Sequence, residues 1–266
     1  MRSTFTKLGA LLILAIFVFS SCKKQVETLQ TDALTDYMPL QVGKYIVYRL
    51  DSTVFLNFGK REETHAYQVK LEVNAEVQDN LGRPAYRIYR YIRDSAGTKS
   101  WAPDNTYVAT ALDDQIEFTD DNLRFIKLHG PVKNGFNWKG NKYLPEDVFS
   151  SFYIFSNDDA MADWDYYYDG DAEPSAQVED QTYTDVITVQ QDDEAYNYPI
   201  VDESSYAARN YAIEKYSKGV GLVYKEFVLW EQQPNPTLVS AGPPAVYTYD
   251  PSKSGFGIKM WMIDHN

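Results

Sequence analysis

The stretch Tyr67-Gln-Val-Lys-Leu-Glu-Val-Asn-Ala-Glu-Val77 decides the fold class of this chain. Its apolar side chains alternate with polar ones from the first residue to the last. Period-two alternation places the two kinds of side chain on opposite faces of an extended strand, whereas a helix requires a period near 3.6. The stretch therefore predicts a long antiparallel strand with one buried face and one face in water.

Strand patterns continue on both sides of this stretch. Asn80-Leu81-Gly82 supplies a turn, residues 85–93 predict the returning strand, and residues 44–55 predict a strand upstream. Further strands are predicted at 107–112, 115–119, 123–128, 182–190, 211–216, 222–231 and 257–264. Short helices are expected at 206–211 and 145–149, and the five prolines within 234–254 favour a long loop. We expect a mainly β fold: a single antiparallel domain over 37–266, built as a curved sheet, half-barrel or sandwich, with few short helices.

The N-terminal residues have the pattern of an export signal. Arg2 and Lys7 precede an apolar run over residues 8–19, which is too short for a bilayer-spanning helix of about 20 residues. The only cysteine of the chain, Cys22, follows shortly afterwards, so an intramolecular disulfide is excluded. An ordinary signal peptide followed by a free thiol is the alternative interpretation of this region.

The segment Phe19-Ser20-Ser21-Cys22 resembles a bacterial lipoprotein signal, with Phe19 and Ser21 where the usual pattern has Leu and Gly or Ala. The resemblance implies a signal peptide over 1–21, cleaved before Cys22, and diacylglycerol on the Cys22 thiol. Residues 22–36 would form the lipidated tether. Lys23, rather than Asp, follows the cysteine, and this resembles lipoproteins that are passed on to the outer membrane. Which side of that membrane the domain faces is open.

Acidic charge is concentrated in one part of the chain. The formal net charge is -13, yet residues 143–208 contain 17 acidic residues and no lysine or arginine. The acidic insertion, as we call residues 143–208, therefore carries -17 and the rest of the chain is close to neutral. An acidic surface argues against a nucleic-acid partner. On strand 85–93 we expect Arg87 and Arg93 on one face and Arg90 on the other, solvated or paired with acidic residues.

Two ligands are considered for the acidic insertion. The carboxylates Asp163, Asp165, Asp169 and Asp171 are a candidate calcium site, although Tyr167 and Ala176 occupy positions where an EF-hand has ligands. The aromatic residues Trp164, Tyr166, Tyr167 and Tyr168 are a candidate surface for glycan binding, since such rings stack on sugars. The alternatives are a solvated acidic loop and tyrosines that simply suit half-exposed strands.

Motifs of known catalytic sites are missing from the sequence. The three histidines form no close metal pair, and neither a nucleophile elbow nor a phosphate-binding loop occurs. We therefore expect a protein that is not an enzyme and needs no cofactor, although a glycosidase needs only two carboxylates.

Several short segments resemble uncharacterised lipoproteins of Bacteroidota-type bacteria. They are Ser21-Cys22-Lys23-Lys24, Pro39-Leu-Gln-Val-Gly-Lys-Tyr-Ile-Val-Tyr48, Trp138-Lys-Gly-Asn141, Lys218-Gly-Val-Gly-Leu-Val-Tyr-Lys-Glu226 and Ile263-Asp-His-Asn266. The resemblance implies an exported, lipid-anchored β protein. The strand pattern is also similar to curved half-barrel lipoprotein carriers.

Three functions follow as hypotheses. The first is a non-enzymatic binding or structural module of the cell envelope, anchored in the membrane and contacting a glycan or an envelope protein. The second is a carrier that encloses a lipid or another apolar ligand within a curved sheet, which requires a cavity. The third is a glycan-active protein.

Overall fold

Strand β1 (Tyr45–Leu56) pairs along its whole length with the first part of β2 (Arg61–Gln78), and the two form the first hairpin of a large sheet. The computed structural model describes residues 31–146, 148–153 and 160–266. The remaining strands are β3 (Pro84–Asp94), β4 (Ala102–Ala111), β5 (Gln115–Asp120), β6 (Leu123–His129), β7 (Asn137–Trp138), β8 (Tyr166–Tyr168), β9 (Ala176–Val178), β10 (Gln181–Tyr183), β11 (Val186–Tyr196), β12 (Ala207–Ser217), β13 (Gly221–Gln233), β14 (Pro236–Ser240), β15 (Val246–Tyr249) and β16 (Ser252–His265).

Twelve of these strands form one antiparallel sheet, in the order β6-β5-β4-β3-β2-β1-β16-β13-β12-β11-β8-β7. The hairpins β9–β10 and β14–β15 form two small separate sheets. The expectation of a mainly β fold with a large, curved antiparallel sheet and few helices is confirmed. Among the described residues, the helical elements are the single turn α1 (Leu34–Tyr37) and a 3-10 turn at Met161–Asp163.

The two edge strands of the large sheet, β6 and β7, come together. The amide of Ile126 donates a 2.8 Å hydrogen bond to the carbonyl of Gly140, just after β7. The indole Nε1 of Trp138 donates a 2.9 Å bond to the carbonyl of Ile126. These two bonds, which we call the β6–β7 junction, make the sheet nearly closed and barrel-like. A closed sheet leaves few unpaired edge groups and encloses one face as an interior.

One half of this interior is packed with large side chains. The ring of Trp138 contacts those of Tyr166 and Tyr168, with centroid distances of 5.9 and 5.0 Å. They belong to a core cluster that also includes Ile116, Ile126, Leu128, Trp164, Ala212, Tyr216, Phe227 and Leu229. Aromatic side chains bury large areas, so this cluster supplies much of the apolar burial that holds the sheet together.

The deciding stretch lies in β2 as predicted, but the alternation is interrupted. The pairing register between β2 and β3 shifts between Val73 and Ala75, so Asn74 is bulged out of the ladder. The Asn74 side-chain oxygen accepts hydrogen bonds of 3.0 and 2.6 Å from the Arg87 guanidinium. A bulge bends and twists the strand, which helps the sheet to curve.

Four local predictions differ from the structure. The strand predicted at 182–190 is divided between β10 and β11, which belong to different sheets. Residues 206–211 were expected to form a short helix but lie mostly in β12, because main-chain bonds to β11 and β13 on both sides outweigh local helix preference. Of residues 145–149, Asp147 is outside the described residues and its neighbours form turns. The proline-rich 234–254 loop contains the hairpin β14–β15, whose side chains are exposed.

The compact unit of the structure comprises Thr31–Asn266. Leu34 and Tyr37 are buried in the main core cluster, so the last residues of the predicted tether belong to the fold. The predicted signal peptide 1–21 and Cys22 lie outside the described residues. In the described part of the chain, no helix has both the length and the apolar character needed to cross a membrane.

Candidate functional site

The other half of the sheet interior is a cavity of about 220 Å³. Side chains of nine strands contribute to its wall, most of them apolar. Among them are Leu50, Val69, Leu71, Val73, Ile88, Tyr107, Phe118, Ile258 and Met260. Protein interiors are close-packed, with few voids larger than a water molecule. A cavity of this size in a sheet interior is therefore the feature of the molecule that most needs a functional explanation.

The end of the cavity nearest solvent lies under the segment that follows α1. Met38, Pro39 and Leu40 line it and are only partly buried. Two main-chain hydrogen bonds hold this segment against the sheet. The amide of Gly219 donates to the carbonyl of Asp36 at 2.7 Å, and the amide of Gly43 donates to the carbonyl of Val73 at 2.8 Å. The chain therefore covers this end without filling the space below it.

Three charged side chains meet on one wall of the cavity. Lys127 of β6 donates a 2.8 Å hydrogen bond to Oε1 of Glu214 in β12. The Nζ atom of Lys225 in β13 lies 3.5 Å from the same oxygen. The hydroxyl of Tyr216 donates a 2.6 Å bond to the other carboxylate oxygen, Oε2. One carboxylate thus faces two ammonium groups and one hydroxyl.

The environment lowers the pKa of both Glu214 and Lys225, but for different reasons. Burial alone would raise the pKa of Glu214, but Lys127, Lys225 and the Tyr216 bond outweigh burial and lower it to about 2. Burial, followed by repulsion from Lys127, lowers the pKa of Lys225 to about 8, because Glu214 and Asp120 compensate only part of the cost. Glu214 is a stable anion, whereas the positive charge of Lys225 is under-compensated.

Three further charged residues line the same cavity. Lys44, just before β1, donates a 3.0 Å hydrogen bond to the carbonyl of Gly219. Arg90 of β3 is paired with Asp104 at 3.0 Å. Asp120 of β5 accepts a 3.0 Å hydrogen bond from Asn105, and burial together with the nearby Asp121 raises its pKa. Arg90 points to the face opposite Arg87 and Arg93, as predicted, but its partner Asp104 lies outside the acidic insertion.

The four candidate calcium ligands do not come together. Asp163, Asp165, Asp169 and Asp171 are all exposed. Lys139 lies 3.1 Å from Asp165. In the part of the chain that the structure describes, no group of three or more His, Cys, Asp or Glu side chains is arranged to hold a metal ion.

The four candidate glycan-binding aromatics are divided between core and surface. Trp164, Tyr166 and Tyr168 are at most 3% exposed and belong to the main core cluster, whereas Tyr167 is 38% exposed. The buried hydroxyl of Tyr166 donates to Asn141 at 2.7 Å, and that of Tyr168 to the carbonyl of His129 at 2.8 Å. The calcium and glycan interpretations stay predictions, and neither enters the proposal below.

The charged residues of the cavity were not singled out from the sequence, although a signal for them exists. Lys225 is in phase with the buried Phe227 and Leu229 of its own strand, and Glu214 is in phase with Ala212 and Tyr216. A charged residue at an inward position of an alternating strand is unusual, because charges are rarely buried unless paired. Recognising that Lys225 and Glu214 are neighbours requires the β12–β13 register.

Comparisons with protein-family models, with curated proteins and with solved structures found no match to this chain.

Proposed function

We propose that this protein is a non-catalytic binding protein that holds one small, largely apolar ligand inside its sheet. The observation behind the proposal is the apolar cavity of about 220 Å³. This volume exceeds the roughly 150 Å³ of an engineered cavity that binds benzene, and it is below the roughly 300 Å³ at which drug-sized pockets begin. A ligand with a short hydrocarbon chain fits this range.

The energetic cost of an unfilled cavity supports this proposal. Residual cavities cost about 24 cal/mol per Å³, so about 220 Å³ corresponds to a cost on the order of 5 kcal/mol. That cost is comparable to the whole stability of a marginal domain. Larger side chains at the wall would fill the cavity and remove this cost. A ligand that occupies the cavity would explain why the space is retained. Burying an eight-carbon tail at about 0.8 kcal/mol per carbon would contribute about 6 kcal/mol, which corresponds to a dissociation constant on the order of 20 μM.

Binding explains the arrangement of carboxylates better than catalysis does. A catalytic carboxylate needs a free oxygen within reach of a substrate. Both oxygens of Glu214 already accept hydrogen bonds, one from Lys127 and one from Tyr216. A sugar would also need an open, polar cleft, whereas these walls are mostly apolar. We therefore favour the carrier hypothesis over the glycan-active one.

We also propose that the domain acts at the cell envelope, anchored by an acylated Cys22. Its support is the position of the only cysteine directly after a signal-like segment. Labelled palmitate should be incorporated into the wild-type chain and not into Cys22→Ser. Incorporation into Cys22→Ser, or none into the wild type, would contradict the anchor and leave the cavity proposal intact.

The cavity is tested by octan-1-ol, an uncharged eight-carbon probe, added to the purified full chain. We expect a rise in the thermal unfolding midpoint and saturable heat in titration calorimetry, since a ligand that binds only the native state stabilises it. Leu71→Trp places a larger side chain at the cavity wall and should abolish both effects. Glu72→Trp, on the opposite face of the same strand, should retain them. Equal binding by both variants, or no binding by the wild type, would refute the proposal.

A further inference from the structure

The charged wall of the cavity contains one ammonium group, that of Lys225, that has no close ion pair of its own. Lys127 and Glu214 form a close pair, and Arg90 is paired with Asp104. Lys225 has only the shared Oε1 atom of Glu214, at 3.5 Å. Among the described residues, no lysine or arginine nitrogen lies within 4.0 Å of Asp120, so that carboxylate does not form an ion pair with Lys225.

The Lys225 ammonium is also accessible from the cavity. Its side chain retains 26% of its accessible surface although it lies on the interior face of β13. Because Lys225 lines the cavity, the accessible part faces the cavity rather than bulk water. A ligand in the cavity would therefore meet an ammonium group with unused hydrogen-bonding capacity, since an ammonium has three donors.

We infer that Lys225 is the anchor for the head group of the ligand, and that the ligand is a small amphiphile with one carboxylate and an apolar tail. This inference rests on the proposed function and adds the chemical class of the ligand. The carboxylate accepts hydrogen bonds from the Lys225 ammonium, and the tail lies along the apolar wall formed by residues such as Leu50, Leu71 and Ile258.

A single negative charge suits this wall better than a double one. Glu214 and Asp120 also face the cavity, so a dianionic phosphate would be repelled by two carboxylates while meeting one under-compensated ammonium. A neutral head group would leave the Lys225 charge uncompensated, and a cationic one would add a second repulsion to that from Lys127. A monocarboxylate supplies the close partner that Lys225 lacks and adds only one negative charge to the wall.

The lowered pKa of Lys225 agrees with this geometry. In the empty cavity the pKa is about 8, held down by burial and by Lys127, while Glu214 opposes the shift. A bound carboxylate next to the ammonium would raise that pKa again. Binding should therefore be strongest between the pKa of the ligand and about 8, and should weaken towards higher pH as Lys225 loses its proton. The other charged groups that line the cavity are Lys44, Lys127, Glu214, Asp120 and Arg90.

The test compares three eight-carbon probes, octanoate, octan-1-ol and octylamine, by calorimetry with the full chain at pH 7. We expect octanoate to bind at least tenfold more tightly than octan-1-ol, and octylamine to bind most weakly. Lys225→Met, which retains the length of the side chain and removes its charge, should eliminate the preference for octanoate and leave octan-1-ol binding intact. Lys215→Met, a change on the opposite face of the neighbouring strand β12, should preserve the preference.

The outcomes separate this inference from the proposed function. If octanoate and octan-1-ol bind equally, or if Lys225→Met keeps the tenfold preference, Lys225 is not the anchor, whereas an apolar binding cavity remains. If no probe binds, the proposed function itself fails. A ¹³C-carboxyl label on octanoate gives a second readout: its resonance should shift on binding to wild type and to Lys215→Met, and shift differently in Lys225→Met.

Discussion

The Nζ atom of Lys225 lies 3.5 Å from Oε1 of Glu214, the same oxygen that accepts the shorter 2.8 Å hydrogen bond from Lys127. Two cations from different strands thus depend on one buried carboxylate. Buried ion pairs contribute little net stability, but removing one partner leaves an uncompensated charge in the interior.

Glu214→Gln should therefore be strongly destabilising. The substitution leaves Lys127 and Lys225 facing each other without a carboxylate, and we expect a loss of about 3–5 kcal/mol in the free energy of unfolding. Denaturant titration at pH 7 measures it. Glu226→Gln is the matched control, because Glu226 lies on the opposite face of β13, where it accepts a hydrogen bond from the hydroxyl of Tyr224. A similar, small loss in both variants would contradict this account of Glu214.

The lowered pKa of Glu214 predicts acid instability. A carboxyl whose folded-state pKa is depressed contributes stability that is present above its unfolded-state pKa, near 4.5, and is lost as the pH falls towards the folded-state value of about 2. The difference in unfolding free energy between wild type and Glu214→Gln should therefore shrink between about pH 4.5 and pH 2. Unfolding curves at pH 6, 4, 3 and 2 would show this. A constant difference across the range would contradict it.

The lowered pKa of Lys225 predicts that this residue contributes more to the stability of the fold as the pH rises above about 8. Between pH 8 and 10.5 the unfolded chain keeps the Lys225 proton while the folded chain releases it, so folding becomes more favourable as the pH rises. The contribution reaches about 3 kcal/mol at the upper end, because each pKa unit corresponds to about 1.4 kcal/mol. Tyrosine ionisation opposes it in every variant, so the measured quantity is the stability of wild type relative to Lys225→Met. That relative stability should rise from pH 7.5 to pH 10, and a flat profile would show that the Lys225 pKa is unperturbed.

Gly140 should not tolerate a side chain. A Cβ atom at this position would lie 2.3–2.6 Å from three ring carbons of Tyr166, and the carbonyl of Gly140 accepts the Ile126 amide at the β6–β7 junction. We expect Gly140→Ala to cost about 1–3 kcal/mol through overpacking. Gly242→Ala, in an exposed turn with only Ser240 nearby at 3.7 Å, should be nearly neutral. Adding Tyr166→Leu should recover part of the cost, and an additive double mutant would contradict the proposed clash.

The sequence predicts the strands of this protein better than it predicts the site. Alternation in β2 depends on local chemistry, so it is visible without the structure. The helix expected at 206–211 was wrong because neighbours on both sides of β12 determine its conformation. The cavity could not be predicted, because its wall combines Leu71, Lys127 and Lys225 from distant parts of the chain. Charge pairing across strands depends on register, which alternation alone does not specify.

The β6–β7 junction and the pairing of β1 with β16 differ in the length of chain that they enclose, and this difference affects how the chain folds. Strands β6 and β7 form the two edges of the sheet and are separated by only a short loop, His129 being followed closely by Asn137. The pairing of β1 with β16 instead joins the two ends of the folded unit. The entropy of loop closure grows with the length of chain enclosed, and non-local strand pairing slows folding. We therefore expect the β6–β7 junction to form early and β1–β16 pairing to limit the rate, so the cavity would be completed only in the last step of folding.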